Sequence, residues 1–205
     1  MTQDITIYGL PQSNWVWSTR LFARAKGLEV RHVASAPHSE DVRAISPLGK
    51  IPVLRHGAVE LAESRAICGY LDVLGAGPSL MPQTPVEEMW LSLIQTGLEP
   101  MLIRDYVFGY IFPGTEDGAP DRARIDGLRD TLASKLGAVT QGLSAGILGA
   151  RRSVLDIMMT PILFYVGQFP EGAAAIESDS RLADYRDALV QHPDIAATAP
   201  QAEAA

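Results

Sequence analysis

The strand signals and the helix signals of this 205-residue chain occupy different parts of the sequence. The segments with the short, β-branched composition of strands are residues 5–9, 29–34, 51–54 and 59–61. The later segments of helical length are residues 86–106, 121–137, 153–166 and 180–191. Residues 75–85, between the two groups, concentrate glycine and proline, as interdomain linkers do. The sequence therefore predicts one domain over residues 1–75, a linker over residues 76–84 and a second domain over residues 85–205.

Helical segments separate the predicted strands of the first domain. Residues 16–26 contain neither glycine nor proline and end before Gly27, a common helix stop. Residues 39–44 predict a helical turn, and residues 64–74 carry apolar side chains at helical spacing. The resulting order, βαβ followed by ββα, is that of an α/β thioredoxin-like domain, and we expect the second domain to be an all-α helical bundle. The alanine-rich residues 196–205 predict a frayed tail.

Composition and charge exclude several classes of protein. Apolar residues make up 47% of the chain, and no apolar run reaches the roughly 18 residues that a membrane helix requires, so we expect no membrane partner. The net charge of −7 argues against nucleic acid, because phosphate binding needs a basic surface. A single cysteine excludes a disulfide framework and a multi-cysteine metal site, and we expect no metal. The N-terminus lacks a basic signal segment, which predicts a cytoplasmic location.

Two segments of the first domain carry a distinctive motif. They are Ser46-Pro47-Leu48-Gly49-Lys50-Ile51-Pro52-Val53-Leu54 and Glu63-Ser64-Arg65-Ala66-Ile67. Together they resemble the cytosolic glutathione transferases. The resemblance implies that the Ile51–Pro52 peptide is cis and that the Ile51 main chain pairs with the cysteinyl part of glutathione. It also implies that Glu63 and Ser64 begin a helix whose N-terminus takes the γ-glutamyl carboxylate, although Ser64 could instead be a helix cap alone.

The residue that activates the glutathione thiol is expected at the start of the first helix. The sequence Tyr8-Gly9-Leu10-Pro11-Gln12-Ser13 resembles the pattern of serine-type bacterial members of the family. In that interpretation Ser13 donates a hydrogen bond to the glutathione thiolate. Tyr8 is the competing donor, because tyrosine-type members place theirs near the end of the same strand, and Asn14 is a third candidate.

The resemblance also predicts the remaining contacts of the two substrates. The glycyl carboxylate of glutathione is assigned to Lys50 and His38, which would otherwise be solvated surface residues. The wall for the second substrate is assigned to Trp15, Asp105, Tyr106 and Tyr110. The alternative for the aromatic residues is packing within the helical bundle.

Two further residues are assigned to the fold rather than to the chemistry. Ser153 and Asp156 have the spacing of a capping box at a helix start, which also resembles the family, so Asp156 is predicted to stabilise the second domain. Cys68 is expected to be a small core residue of the closing helix of the first domain.

The function implied by the resemblance is glutathione transfer in detoxification. The bound thiolate would attack a small, largely apolar electrophile, with glutathione as co-substrate and no metal. One alternative is a glutathione-dependent cis–trans isomerase of a small dicarboxylate, and another is a glutathione-binding or interaction module without catalysis. A homodimer is expected from the family, with an interface along the first helix of the second domain and the closing helix of the first.

Overall fold

The computed structural model describes residues 4–200, which divide into two compact units. The first unit contains residues 4–81 together with residues 192–200, and the second contains residues 82–191. The sequence predicts a helical domain over residues 85–205, whereas residues 192–200 belong to the first unit. Of the predicted tail, residues 201–205 lie outside the described residues. No helix among residues 4–200 is long and apolar enough to cross a membrane.

The first unit is built on a four-stranded mixed sheet. Its strands are β1 (Thr6–Tyr8), β2 (Arg31–Val33), β3 (Val53–His56) and β4 (Val59–Ala62). Their spatial order is β2-β1-β3-β4, with β1 parallel to β2 and antiparallel to β3. The helices of this unit are α1 (Asn14–Ala25), α2 (Glu40–Arg43), α3 (Ser64–Leu74) and α11 (Pro193–Thr198). The predicted thioredoxin-like order of strands and helices is therefore confirmed.

The two faces of the sheet carry separate parts of the core, because successive strand residues point to opposite sides. Tyr8 and Val53 are paired across β1 and β3 and pack with Val42 of α2. Ile7 and Leu54, the next pair, lie on the opposite face and are fully buried. The helices α1 and α3 pack against each other and against the strands.

The short helix α11 belongs to the first unit because it is bound along α1. The Trp17 indole Nε1 donates to the Thr198 hydroxyl at 3.1 Å, and Arg20 donates to the Thr198 carbonyl at 3.1 Å. Arg24 pairs with Asp194 at 2.8 Å. Trp17, Arg20 and Arg24 are three and four residues apart, so they line one side of α1. The sequence predicted no helix here and assigned residues 196–205 to a frayed tail, whereas the structure forms α11 through Thr198 because these bonds hold it on α1.

A buried ion pair holds the segment that leads out of the first unit. Lys26, at the end of α1, is only 2% exposed, and its ammonium lies 3.1 Å from a carboxylate oxygen of Asp72 on α3. The same ammonium donates to the Pro78 carbonyl at 2.9 Å. Asp72 in turn accepts the Ser79 hydroxyl at 2.6 Å and the Leu80 amide at 2.9 Å. The predicted linker region is therefore bound to the first unit up to Leu80.

The described residues of the second unit form helices joined by loops, with no strand among them. Its α-helices are α4 (Pro85–Leu93), α5 (Phe108–Ile111), α6 (Arg122–Gly127), α7 (Arg129–Ser144), α8 (Val154–Val166), α9 (Pro170–Glu177) and α10 (Ser180–Val190). Two π-helical segments, Ile94–Leu98 and Pro100–Val107, join α4 to α5. Pro100 lacks an amide donor and its ring would clash with the carbonyl four residues earlier, which accounts for the wider i→i−5 turns around it. The Glu99 amide accordingly donates to the Ile94 carbonyl.

Asp156 is buried at the start of α8, where it forms the predicted capping box with Ser153. Its carboxylate accepts hydrogen bonds from the Ser153 amide at 3.1 Å and the Ser153 hydroxyl at 2.9 Å. It also accepts the Tyr185 hydroxyl at 2.7 Å and the Gly149 amide at 2.9 Å. The carboxylate thus joins the start of α8 to α10 and to the loop before α8.

The Lys26–Asp72 pair gives a stability prediction. Replacing Lys26 by Met leaves the Asp72 carboxylate nearly buried without its cation, and we expect the free energy of unfolding to fall by about 3 kcal/mol. The double variant Lys26→Met/Asp72→Asn removes the uncompensated charge and is expected to recover part of that loss. Urea unfolding followed by circular dichroism measures both. A loss below about 1 kcal/mol, the range of an exposed pair, would show that the pair adds nothing beyond a surface contact.

Candidate glutathione site

Ser13 is the N-cap of α1, at the end of the turn that follows β1. Its backbone is extended, with φ −66° and ψ 124°, and its hydroxyl oxygen accepts the Val16 amide at 3.4 Å. Because the oxygen is the acceptor in that bond, the hydroxyl proton can be donated to another group. Ser13 is half-buried, and it stands at the positive end of a 12-residue helix.

The two competing candidates for thiol activation are less exposed than Ser13. Tyr8 is 8% exposed in the core cluster beneath α2, and the Arg55 guanidinium lies 5.8 Å from its ring centroid. Asn14 is 4% exposed as the first residue of α1. The β-sheet register explains the position of Tyr8, since pairing with Val53 directs its side chain to the α2 face.

Gly9 brings the Ser13 turn against the residue that was predicted to pair with glutathione. Its φ is +150°, and a Cβ atom placed there would lie 2.4 Å from Val16 Cγ2 and 3.2 Å from Ile51 Cβ. Only a residue without a side chain allows this approach. The start of α1 and the Ile51 segment are therefore in contact through the backbone of Gly9.

The loop before β3 presents Ile51 and Lys50. The buried Ser46 hydroxyl accepts the Lys50 amide at 3.1 Å, which closes the turn through Gly49. The Ile51–Pro52 peptide is cis, as the resemblance implied. Within residues 4–200 the Ile51 amide and carbonyl make no backbone hydrogen bond. Lys50 is exposed, and its ammonium forms no ion pair with the described residues.

His38 lies directly over this turn. Its amide donates to the Gly49 carbonyl at 2.8 Å, and a Cβ atom at Gly49 would fall 2.2 Å from His38 Nδ1. The two candidates for the glycyl carboxylate therefore adjoin the same glycine, His38 through its imidazole and Lys50 as the next residue in the chain. The structure brings together the residues that the sequence assigned to the glycyl carboxylate.

Glu63 and Ser64 form the start of α3 in an unusual way. Glu63 is the N-cap with φ 68° and ψ 118°, a conformation that L-residues rarely adopt, and its side chain does not cap the helix. Because Glu63 occupies the N-cap position, Ser64 is the first helical residue and not the cap that was the alternative. Ser64 is 7% exposed. A helix N-terminus without a side-chain cap leaves amide donors for an anion.

The predicted substrate residues lie in both units. Trp15 is half-buried in the first turn of α1. In the second unit, the exposed Asp105 carboxylate lies 3.4 Å from Arg124. The Tyr106 side chain is fully buried, and its hydroxyl accepts the Gly172 amide at 2.7 Å. The role of these residues as a substrate wall stays a prediction.

Glu171 is a residue that the sequence did not single out. Its carboxylate accepts hydrogen bonds from the Tyr106 and Tyr110 hydroxyls and pairs with Arg122 at 2.7 Å and Arg129 at 3.4 Å. Burial alone would raise the pKa of Glu171, but the hydrogen bonds from Tyr110 and Arg122 outweigh it and lower the pKa to about 2. Both tyrosine hydroxyls are thus engaged inside the second unit. A lone glutamate in the first turn of α9 gives no sequence signal for such a cluster.

Cys68 lies on α3 and is fully buried. Burial raises the pKa of its thiol, which keeps the sulfur protonated and unreactive. The expectation that it is a core residue is confirmed. No group of metal-ligating side chains occurs among residues 4–200.

Comparison with known proteins identifies the family. Residues 7–79, which include the β1–α1 turn, the Ile51 loop and the start of α3, match the glutathione S-transferase N-terminal domain. The chain also superposes on the structure of glutathione S-transferase III in its apo form with a TM-score of 0.82, at 26% sequence identity over 95% of both chains. The protein therefore contains a glutathione S-transferase N-terminal domain over residues 7–79. Its fold and its N-terminal motif are those of the cytosolic transferases.

The curated relatives share only part of their length with this protein. Glutathione S-transferase 1 of Dianthus caryophyllus is 32% identical over 40% of this chain and 39% of its own. Glutathione S-transferase 3 of Zea mays is 30% identical over 64% of both chains. Maleylacetoacetate isomerase of Rattus norvegicus is 26% identical over 46% of this chain and 49% of its own.

The conformation of Glu63 gives a test of backbone strain. A residue held at such dihedral angles costs on the order of 1–3 kcal/mol, and glycine adopts them without that cost. We expect Glu63→Gly to be more stable than Glu63→Ala by about 1 kcal/mol, because both lose the carboxylate but only Gly relieves the strain. Chemical denaturation of the two variants measures the difference. Equal stability, or a less stable glycine variant, would show that the backbone at this position is unstrained.

Proposed function

We propose that the protein is a serine-type glutathione transferase, in which the first unit binds glutathione and the Ser13 hydroxyl stabilises its thiolate. The observation that carries this proposal is the position of Ser13. It is the least buried of the three candidate donors, its hydroxyl proton can be donated, and its turn contacts the Ile51 segment through Gly9. Glutathione supplies the nucleophilic sulfur, and the protein supplies the groups that hold it.

The donors of the first unit fit the parts of glutathione in turn. The main-chain amide and carbonyl of Ile51 suit the peptide groups around the cysteinyl residue. The start of α3, with the Ser64 hydroxyl and first-turn amides, suits the γ-glutamyl carboxylate. Lys50 and His38 suit the glycyl carboxylate, since the His38 imidazole lies against Gly49 and the exposed Lys50 follows it in the chain. In this arrangement the γ-glutamyl carboxylate binds the N-terminus of α3 and the glycyl carboxylate binds Lys50.

One hydrogen bond from a hydroxyl supplies enough free energy to lower the thiol pKa substantially. A hydrogen bond to a charged group contributes about 1.5–3 kcal/mol, and one pKa unit corresponds to about 1.4 kcal/mol. A hydrogen bond from Ser13 therefore lowers the pKa of a thiol, ordinarily near about 8.5, by roughly one to two units. The N-terminus of α1 favours the anion in the same direction. At neutral pH the bound glutathione is then largely thiolate, ready to attack an electrophilic carbon.

The matched test replaces the hydroxyl at Ser13 and at Tyr8. The ultraviolet absorbance of bound thiolate is titrated against pH in the wild type, Ser13→Ala, Ser13→Thr and Tyr8→Phe. We expect the pKa of the bound thiol to rise by about one to two units in Ser13→Ala, and to stay close to the wild-type value in Ser13→Thr, which keeps a hydroxyl. Tyr8→Phe is expected to leave it unchanged, because Tyr8 lies in the core beneath α2.

Each contrary result has a distinct meaning. A rise confined to Tyr8→Phe would transfer the activating role to Tyr8. Glutathione binding with an unperturbed thiol pKa in the wild type would favour a binding module without catalysis. Failure of the wild type to bind glutathione would overturn the proposal.

A second candidate function is favoured by one of the relatives. The rat relative is named maleylacetoacetate isomerase, and a thiolate that adds to a cis double bond, permits rotation and leaves would use the same Ser13. Incubating the protein and glutathione with a small cis-dicarboxylate distinguishes the two. Conversion to the trans isomer without consumption of glutathione supports the isomerase, and a stable thioether product supports the transferase.

We further propose that the protein is a homodimer through α4. Val86, Met89 and Leu93 recur at helical spacing on this helix and are 48%, 50% and 42% exposed. Such an apolar stripe on a surface helix is typical of a face that another subunit covers. The occupant expected from the family is a second copy of this chain.

Sedimentation velocity tests the dimer. Met89→Asp places a charge in the centre of the stripe and is expected to give monomers at concentrations where the wild type is dimeric, because burying an unpaired carboxylate is costly. Phe112→Asp is the control, since Phe112 is 66% exposed on the same unit but lies outside α4. A Met89→Asp protein that stays dimeric while Phe112→Asp dissociates would place the interface elsewhere.

A further inference from the structure

His32 lies on β2 beside the turn that carries Ser13. Its backbone is in register with Ile7 of β1, and its imidazole Nε2 lies 2.9 Å from the carbonyl oxygen of Gly9, the residue that follows β1. A carbonyl oxygen only accepts hydrogen bonds, so Nε2 must carry the proton and donate it. The half-buried imidazole therefore binds the first peptide group of the turn.

The surroundings of His32 favour its neutral imidazole, and the bond to Gly9 selects the tautomer that carries the proton on Nε2. Burial, the largest influence, lowers the pKa of His32, and the positive charge of Arg20 lowers it further, while the hydrogen bond to Gly9 opposes both. The Arg20 side chain is itself held in place by its hydrogen bond to the Thr198 carbonyl of α11. The neutral ring has one N–H group, and the geometry directs it to Gly9.

Residues of β2 therefore bind both the amide and the carbonyl of Gly9. Its amide donates to the Val33 carbonyl at 3.0 Å, and its carbonyl accepts from His32. The following residues form a turn closed by the Ser13 amide, which donates to the Leu10 carbonyl at 3.1 Å. The orientation of the Gly9 peptide therefore sets the direction in which the chain enters this turn and reaches Ser13.

We propose that His32 is a positioning residue for thiol activation: its Nε2–H group fixes the Gly9 carbonyl and, through the turn between them, the Ser13 hydroxyl. This inference rests on the proposed function, because it assigns His32 an effect only through Ser13. Misplacement of a hydrogen-bond donor by a fraction of an ångström weakens its bond to the thiolate and leaves the fold intact.

The test compares a variant that keeps the donor with variants that lose it. His32→Gln retains an N–H group at a similar distance from the backbone, whereas His32→Met fills similar space without a donor. We expect the bound-thiol pKa of His32→Met to shift toward the Ser13→Ala value and kcat to fall about tenfold. His32→Gln is expected to restore most of both. Should His32→Met fail to fold, His32→Val, which has a high strand propensity, replaces it.

A double-variant cycle separates positioning from a general structural effect. In the Ser13→Ala background, His32→Met is expected to leave the bound-thiol pKa unchanged, because no hydroxyl remains to be positioned. An equal pKa shift in both backgrounds, or a loss of stability in His32→Met without any pKa shift, would overturn the role of His32. If Ser13→Ala alone leaves the thiol pKa unchanged, the proposed role of Ser13 fails and the positioning role fails with it.

Discussion

The close approach of Gly9 to Val16 and Ile51 is the constraint on which the site depends. A methyl group at residue 9 would lie 2.4 Å from Val16 and 3.2 Å from Ile51, so the turn into α1 and the loop before β3 can meet only because this position has no side chain. The meeting places the proposed thiol donor, Ser13, beside the main chain proposed to bind the cysteinyl group. The sheet register pairs Tyr8 with Val53 and Val53 with Ala62, so the end of β1, the start of β3 and the end of β4 lie at the same edge of the sheet.

The helical unit is organised around buried carboxylates rather than around apolar packing alone. Asp156 joins the start of α8 to α10. Glu171 joins Tyr106 of the second π-helical segment and Tyr110 of α5 to two arginines. Charged groups of this kind are stable inside a protein only when donors surround them. This requirement explains why the Tyr106 and Tyr110 hydroxyls are bound to Glu171. An aromatic residue on a helix can satisfy a carboxylate of its own domain as readily as it can line a substrate cavity.

The parts that the sequence predicted are those with local causes. The order of strands along the first domain follows from short β-branched segments, and the Ser153–Asp156 pair follows from a three-residue spacing. The resemblance supplied the Ile51–Pro52 geometry, which spacing alone could not. The sequence could not place α11 on α1, since the bonds of Thr198 to Trp17 and Arg20 join residues about 180 positions apart. It missed His32 and Glu171 for the same reason, because each acts on residues distant in the chain.

Proton release on glutathione binding tests most directly whether Ser13 activates the thiol. Calorimetric titration with glutathione near neutral pH, repeated in buffers of different ionisation enthalpy, measures the protons that leave when the complex forms. S-methylglutathione, which has no thiol proton, is the matched ligand. The account predicts net proton release with glutathione and none with S-methylglutathione, and loss of that release in Ser13→Ala. Equal proton release for both ligands, or release that persists in Ser13→Ala, would contradict activation of the thiol by Ser13.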